Sequence, residues 1–343
     1  MKCKLLIPTL AVIALLMCPV LASTLSDNGY HFKDYESVPN VADYGEWWFF
    51  DFYASDIQGI IQYSLWDPAH VTADSYGLMF VCFFKDSVKY EFMFPIPWDY
   101  IVTSDETADL VMGPETITVK NGAYTIEGVG ENLQGDTCAW SLQYIQASES
   151  LNGFRKLKVW QNEELNWFVQ MPTATVYGAV VINSEVIPIN GARGYHDHNW
   201  GVWKLTHSLW NWFQTNTEDF SIVGFDFYLK HKGSITVQVA GKTIVFQKGQ
   251  YLIVNYDWVL DTQVYTLFPK KTCVLAYNGD YLLKLTISTS QTTIVGRPYG
   301  NIAWIVFEST AHYNGFLRGC GVSKQIDSYG FREYSTDVLL PPA

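Results

Sequence analysis

Clustered basic residues are absent from this sequence. Its 22 Lys and Arg are outnumbered by 34 Asp and Glu, giving a formal charge of −12. With no cationic stretch to line a phosphate groove, a nucleic-acid partner is excluded. Charge of either sign is sparse at 16% of the chain, and aromatic residues match it at 16%, with 13 Trp among them. So many large rings need a sizeable buried surface or an apolar pocket, which excludes disorder. Long amphipathic helical periodicity, a Pro- or Ser-rich linker, and the GxSxG, GxGxxG and Walker patterns are also missing. No nucleotide or metal cofactor is therefore expected.

One apolar run stands out, Leu5 to Cys18, and it is short for a bilayer span. With Lys2 and Lys4 before it and Val20-Leu21-Ala22 after it, residues 1–22 read as a secretory signal. A lipid anchor on Cys18 would want a small residue where Met17 stands. The mature chain is expected to be secreted or periplasmic, with no integral membrane segment after cleavage. Cys82, Cys138, Cys273 and Cys320 would remain. They form no CxxC, and they read either as one bridge in each half, Cys82 to Cys138 and Cys273 to Cys320, or as buried thiols.

What is present is β-pattern. Apolar runs such as Tyr76 to Phe84, Val88 to Phe94, Thr175 to Ile182, Phe220 to Leu229 and Ile302 to Glu308 alternate with Gly, Asn, Asp and Pro. Asn121-Gly122 and Asn278-Gly279 predict tight hairpins. The fold class is all-β, with two tandem barrels or sandwiches packed together. Trp47-Trp48-Phe49 is echoed by Trp210-Asn211-Trp212-Phe213, which places the division near 190–210 and the domains at 27–205 and 206–343. A crevice between packed domains is a usual ligand site.

Two segments concentrate unusual residues, GEWWFFDF from Gly45 and GARGYHDHNWG from Gly191. In a strand Glu46, Trp48 and Phe50 share a face opposite Trp47, Phe49 and Asp51. Likewise His196, His198 and Trp200 oppose Asp197 and Asn199. An acid among indoles keeps its proton, because burial disfavours the carboxylate. The indole faces would stabilise a carbocation formed when that acid protonates an alkene. Such chemistry suits hydration, isomerisation or cyclisation. The bland alternatives are core tryptophans, a Glu46 bonded to a turn or an Arg, and a polar histidine pair. His196 and His198 also have metal-ligand spacing, with Asp226, His207 or His312 as a third ligand.

The same two segments resemble the paired signatures of the carotenoid 1,2-hydratase (hydroxyneurosporene synthase) and AttH-like superfamily, an EWWYF-type motif and a DHxWG motif. WNWF from Trp210 and Gly330-Phe331-Arg332-Glu333-Tyr334 resemble two further elements, so that the likeness spans about residues 45 to 335. The resemblance implies two lipocalin-like (calycin) domains, a cavity for a long apolar ligand, and kinship with hydratases and fungal cyclases. Its hydratase His and Trp fall on His198 and Trp200. Its Tyr-x-Asp element falls on Gly224-Phe225-Asp226, where the tyrosine is missing.

Together these observations predict an exported enzyme acting on an apolar polyene, isoprenoid or polyketide. Asp197 or Asp226 would donate the proton, His198 would set its protonation, and Trp200 with Trp48 and Trp212 would line the path of positive charge. Glu46, Trp47, Trp48, His196, Asn199, Trp210 and Trp212 are the candidate substrate contacts. A non-catalytic carrier of a hydrophobic small molecule is the competing reading.

Overall fold

The computed structural model describes residues 29–227, 231–299 and 302–339; the signal segment read at 1–22 lies outside them. The first sheet holds β1 (Tyr44–Tyr53), β2 (Gln58–Trp66), β3 (Tyr76–Lys85), β4 (Val88–Ile96), β5 (Ile101–Thr103) and β6 (Leu110–Met112). It continues with β7 (Glu115–Lys120), β8 (Ala123–Glu131), β9 (Thr137–Gln146), β10 (Leu151–Trp160), β11 (Glu163–Ile182) and β12 (Glu185–Val202). The second holds β13 (Trp210–Asn216), β14 (Phe220–Phe227), β15 (Lys232–Val239), β16 (Lys242–Gln247) and β17 (Tyr251–Asp261). Its remaining strands are β18 (Thr266–Tyr277), β19 (Tyr281–Tyr299), β20 (Ile302–Gly319) and β21 (Val322–Leu339).

Both sheets are antiparallel and curl into nearly closed barrels. In each, the opening strand pairs with the closing one, β1 with β12 and β13 with β21. The tryptophan echo thus has a structural counterpart, since both aromatic segments sit on the strand that joins the start of a sheet to its end. The Asn121-Gly122 hairpin forms as read, with Lys120 opposite Ala123 and both turn residues at positive φ, 53° and 77°. The hairpin at Asn278 also forms, with Tyr277 opposite Leu282.

Alternation along β1 decides what lies where. Trp48, Phe50 and Phe52 fill the first barrel beside Tyr63, Tyr124 and Tyr144. Phe49 turns outward into a second cluster with Trp167, Trp210, Trp212, Phe225 and Phe331, against which Trp47 packs. That outer face is covered by the second barrel, so β1 is buried on both sides; this is why its sequence reads as an almost continuous apolar run. Gln214 reaches across to donate to Asp51 Oδ2 at 2.8 Å, and Asn216 Nδ2 donates to the carbonyl of Gly194 at 3.1 Å. The inward side chains of the first sheet form one continuous buried cluster.

All four cysteines of the described chain are unbridged. Cys138 lies in the first barrel's core, whereas Cys82 belongs to the cluster between the barrels. The opposite faces of one sheet cannot be joined by a bridge that needs sulfurs in contact. Cys320 is exposed and Cys273 half-buried. The reading as buried thiols holds for Cys82 and Cys138; Cys273 and Cys320 are also unbridged but not buried, and the one-bridge-per-half alternative does not hold.

Candidate functional site

The two singled-out segments do meet, as adjacent strands in register: Trp48 lies opposite His198 and Phe49 opposite Asp197. Their residues nevertheless divide between two sites, one on each face of the sheet.

On the inner face, Glu46 is fully buried at one end of the first barrel. His198 donates from Nε2 to Glu46 Oε1 at 2.8 Å, and His31 donates from Nδ1 to the same oxygen at 3.1 Å. Tyr44 Oη donates to Oε2 at 2.5 Å, and the His31 backbone N–H also points at the carboxylate. Burial alone would raise the Glu46 carboxyl, but the bonds from His198 and His31 hold it below its usual range. Trp48 stacks on His198 at 4.6 Å between centroids, and Trp200 stacks on His31 at 3.9 Å. Among the described residues, His31, Glu46 and His198 are the only group whose ligand atoms, all within 4.8 Å, could share a metal ion. His196 stays outside that group. It donates Nδ1–H to the Phe49 carbonyl at 2.9 Å, stacks on Phe50, and leaves Nε2 without a partner. Burial pulls its pKa down to about 3, so it is neutral.

On the outer face lies a cleft between the barrels, lined by Trp47, Trp66, Trp210, Trp304, Glu308 and Glu333. Its empty volume out to the solvent mouth is about 580 Å³, and the Arg297 guanidinium lies over the Trp66 ring at 4.5 Å. Glu308 and Glu333 are cross-strand partners on β20 and β21, and their carboxyls stand side by side in the cleft wall. Trp210 Nε1 donates to Glu333 Oε2 at 2.5 Å. Burial pushes Glu333 up to about 8, and burial plus the neighbouring Glu333 charge pushes Glu308 well above its usual range. Two carboxyls side by side in an apolar wall cannot both ionise, so at least one proton is kept near neutrality. Trp304 Nε1 is buried without an acceptor in the same wall.

A smaller adjoining recess brings Asp197 and Asn199 together with Trp167, Trp210, Trp212 and Glu333. Asp197 accepts hydrogen bonds from Tyr195 Oη at 2.6 Å, Trp167 Nε1 at 2.7 Å and Asn199 Nδ2 at 3.0 Å. Burial nonetheless lifts it to about 7, the three donors offsetting only part of the desolvation.

This geometry corrects the arrangement expected from sequence. Asp197 and His198 point to opposite faces, so His198 cannot set the protonation of Asp197. Trp212 belongs to the cleft side with Trp47, Asn199 and Trp210, whereas Glu46, Trp48, His196 and Trp200 belong to the barrel interior. Asp226 joins neither group. It lies on the second barrel's inner face, ion-paired to Lys248 and bonded by Tyr251 Oη at 2.7 Å. Nor do Asp226, His207 or His312 complete a metal set with His198; Glu46 and His31 are its neighbours instead. Sequence reading missed Glu308, Glu333, Trp304 and His31. The signal was available for the first two, since Glu308 ends the apolar run from Ile302 and Glu333 stands in the Gly330–Tyr334 element.

No family model matches the chain, and no curated protein sequence matches it. Solved structures do. A Nitrosomonas europaea protein named as a candidate AttH aligns with a TM-score of 0.68 at 15% identity, over 96% of this chain and 99% of that one. Kievitone hydratase from Nectria haematococca aligns with a TM-score of 0.59 at 14% identity, over 92% of each chain. CghA aligns at 0.57 and 10% identity, over 87% of this chain and 89% of its own. The likeness implied by the segments from Gly45 and Gly191 is met in the fold, which this chain shares with the candidate AttH, kievitone hydratase and CghA.

Proposed function

We propose that this chain is an enzyme of the hydratase or cyclase kind, protonating an alkene-bearing, apolar small molecule in the cleft between its barrels. The observation that carries the reading is the Glu308–Glu333 carboxyl pair set in a wall of tryptophans. A proton leaves the carboxyl O–H and forms a C–H bond at the less substituted alkene carbon. The cationic carbon faces the rings of Trp47, Trp210 and Trp304, whose quadrupoles stabilise it. In hydration, water adds to that carbon and returns a proton to the carboxylate. In cyclisation, a second alkene attacks and the proton lost afterwards restores the acid. The cleft is open to solvent and admits the water that hydration needs. A long substrate enters by displacing movable side chains at the mouth, Arg297 among them. The AttH-like fold and the name of one structural neighbour, a hydratase, support this class of reaction. We also read the chain as exported, on the segment 1–22; mass spectrometry of the protein recovered from the medium or periplasm would show its loss.

The test is incubation of purified protein with geranylgeraniol and squalene, followed by liquid chromatography and mass spectrometry. Gain of one water marks hydration, and an isomer of unchanged mass marks cyclisation. Removing a general acid is expected to cost at least ~100-fold in turnover, so Glu333→Gln and Glu308→Gln should both fall by that much while staying folded. Wild-type turnover in the double variant would sink the assignment. Probes retained without conversion would assign the cleft to carriage.

A further inference from the structure

The second barrel holds a buried cation that the cleft does not use. Arg332 on β21 is 3% exposed and alternates with Phe331 and Glu333, so that it points away from the cleft and into the second barrel. Its Nη1 donates to Thr272 Oγ1 at 2.7 Å. Among the described residues it makes no ion pair, and the ionisable groups beside it are the phenols of Tyr313 and Tyr334. Thr272 Oγ1 donates to Asn255 Oδ1 at 2.6 Å, and Asn255 Nδ2 donates to Asn211 Oδ1 at 2.9 Å. The guanidinium is therefore surrounded by neutral groups. Asp226, also inside this barrel, is committed to Lys248 and Tyr251. Burial lowers Arg332 to about 10, which leaves it charged at neutral pH. A buried charge without an opposite partner is costly unless something else supplies one.

We propose that Arg332 anchors an oxyanion site in the second barrel, taking the carboxylate of an apolar acid that enters past the inner face of β17. A guanidinium presents its donors as a planar fork that matches a carboxylate in bidentate geometry. The way in is indicated by Tyr251, Ile253 and Asn255, which are only half-buried on that face although they lie inside the sheet's curl. Lys270 shares the face of Thr272 on β18, so it adds a second cation on the approach; its ammonium sits over the Phe268 ring at 5.5 Å. The ring of Phe213, which lies opposite Arg332, and the Phe307–Tyr334 stack supply apolar wall for the chain of such an acid. This site is separate from the cleft and does not depend on the reaction proposed there.

The experiment is calorimetric titration of the full mature chain with dodecanoate, dodecanol and inorganic phosphate, paired with thermal melts. Dodecanoate should bind at least ~10-fold more tightly than dodecanol or phosphate, as one charged hydrogen-bonded pair implies. Arg332→Met should lose that binding by at least ~10-fold while its ligand-free Tm stays level or rises, because a buried charge without a counterion has been removed. Arg332→Lys keeps the charge but not the fork and should also weaken dodecanoate binding at unchanged Tm. The proposal is overturned if Arg332→Met or Arg332→Lys binds dodecanoate like the wild type. It is equally overturned if the wild type does not prefer dodecanoate over dodecanol, or if phosphate alone binds as tightly.

Discussion

Replacing Asp197 by Asn should flatten the dependence of stability on pH. In the folded chain Asp197 titrates near 7, against 3.8 for the group in an unfolded chain. The folded state thus holds a proton that the unfolded state releases, and stability falls as pH rises from about 4 through 7. At about 1.4 kcal/mol for each tenfold change in proton affinity, this gap is worth roughly 4 kcal/mol, fully present below pH 4 and gone above pH 7. Opposing it are three donors, Tyr195, Trp167 and Asn199. A bond to a charged acceptor is worth about 1.5–3 kcal/mol, so three good ones could hold the carboxylate ionised if burial were incomplete. Asp197 is only 4% exposed, and on that ground burial is expected to win. Urea unfolding followed by tryptophan fluorescence at pH 4 to 8 measures the balance. The wild type should lose about 4 kcal/mol more than Asp197→Asn across that range. Parallel curves for the two proteins would refute the reasoning and show Asp197 ionised in the folded state at neutral pH.

Four further outcomes are expected. Glu46 has the opposite sign, since its folded pKa is lowered; its contribution is present above the unfolded value of 4.5 and is lost as pH falls through the folded one. His198→Ala, which strips a donor from this buried carboxylate, should cost about 3–5 kcal/mol in urea unfolding at pH 7, and a loss under ~1 kcal/mol would contradict the pairing. Gly201→Ala should prevent accumulation of folded protein, because at φ 150° a Cβ would stand 2.2 Å from the Glu164 carbonyl oxygen; a wild-type melt would count against the described β11–β12 pairing. Titration of native protein with Ellman's reagent should find Cys320 reacting first and Cys273 more slowly, with Cys82 and Cys138 reacting only after denaturation. Absence of any native-state thiol would restore the disulfide alternative.

The two barrels were legible because alternation, Asn-Gly turns and the scarcity of helical periodicity are local properties of the chain. Alternation also sorted Glu46 and Trp48 from Trp47 and Asp51, and His198 from Asp197, as the register of β1 against β12 bears out. The continuous apolar run of β1 signals burial on both faces, but local pattern could not say what covers the outer one. That the second barrel packs there, with Asp197 facing it and His198 facing the first barrel's interior, is a long-range fact.

The sequence by itself determined the fold class, the aromatic richness of the buried surface and the sorting of faces within the Gly45 and Gly191 segments; that the two pair as adjacent strands came from the structure. Tertiary structure alone decided that Glu308 and Glu333 stand side by side under Trp210, that Asp226 is taken by Lys248, and that His31 reaches back to Glu46. The reason is physical. A strand's face is set by its neighbours in sequence, but a carboxyl's proton is held or lost according to the charges and water around it, and these come from strands distant in the chain.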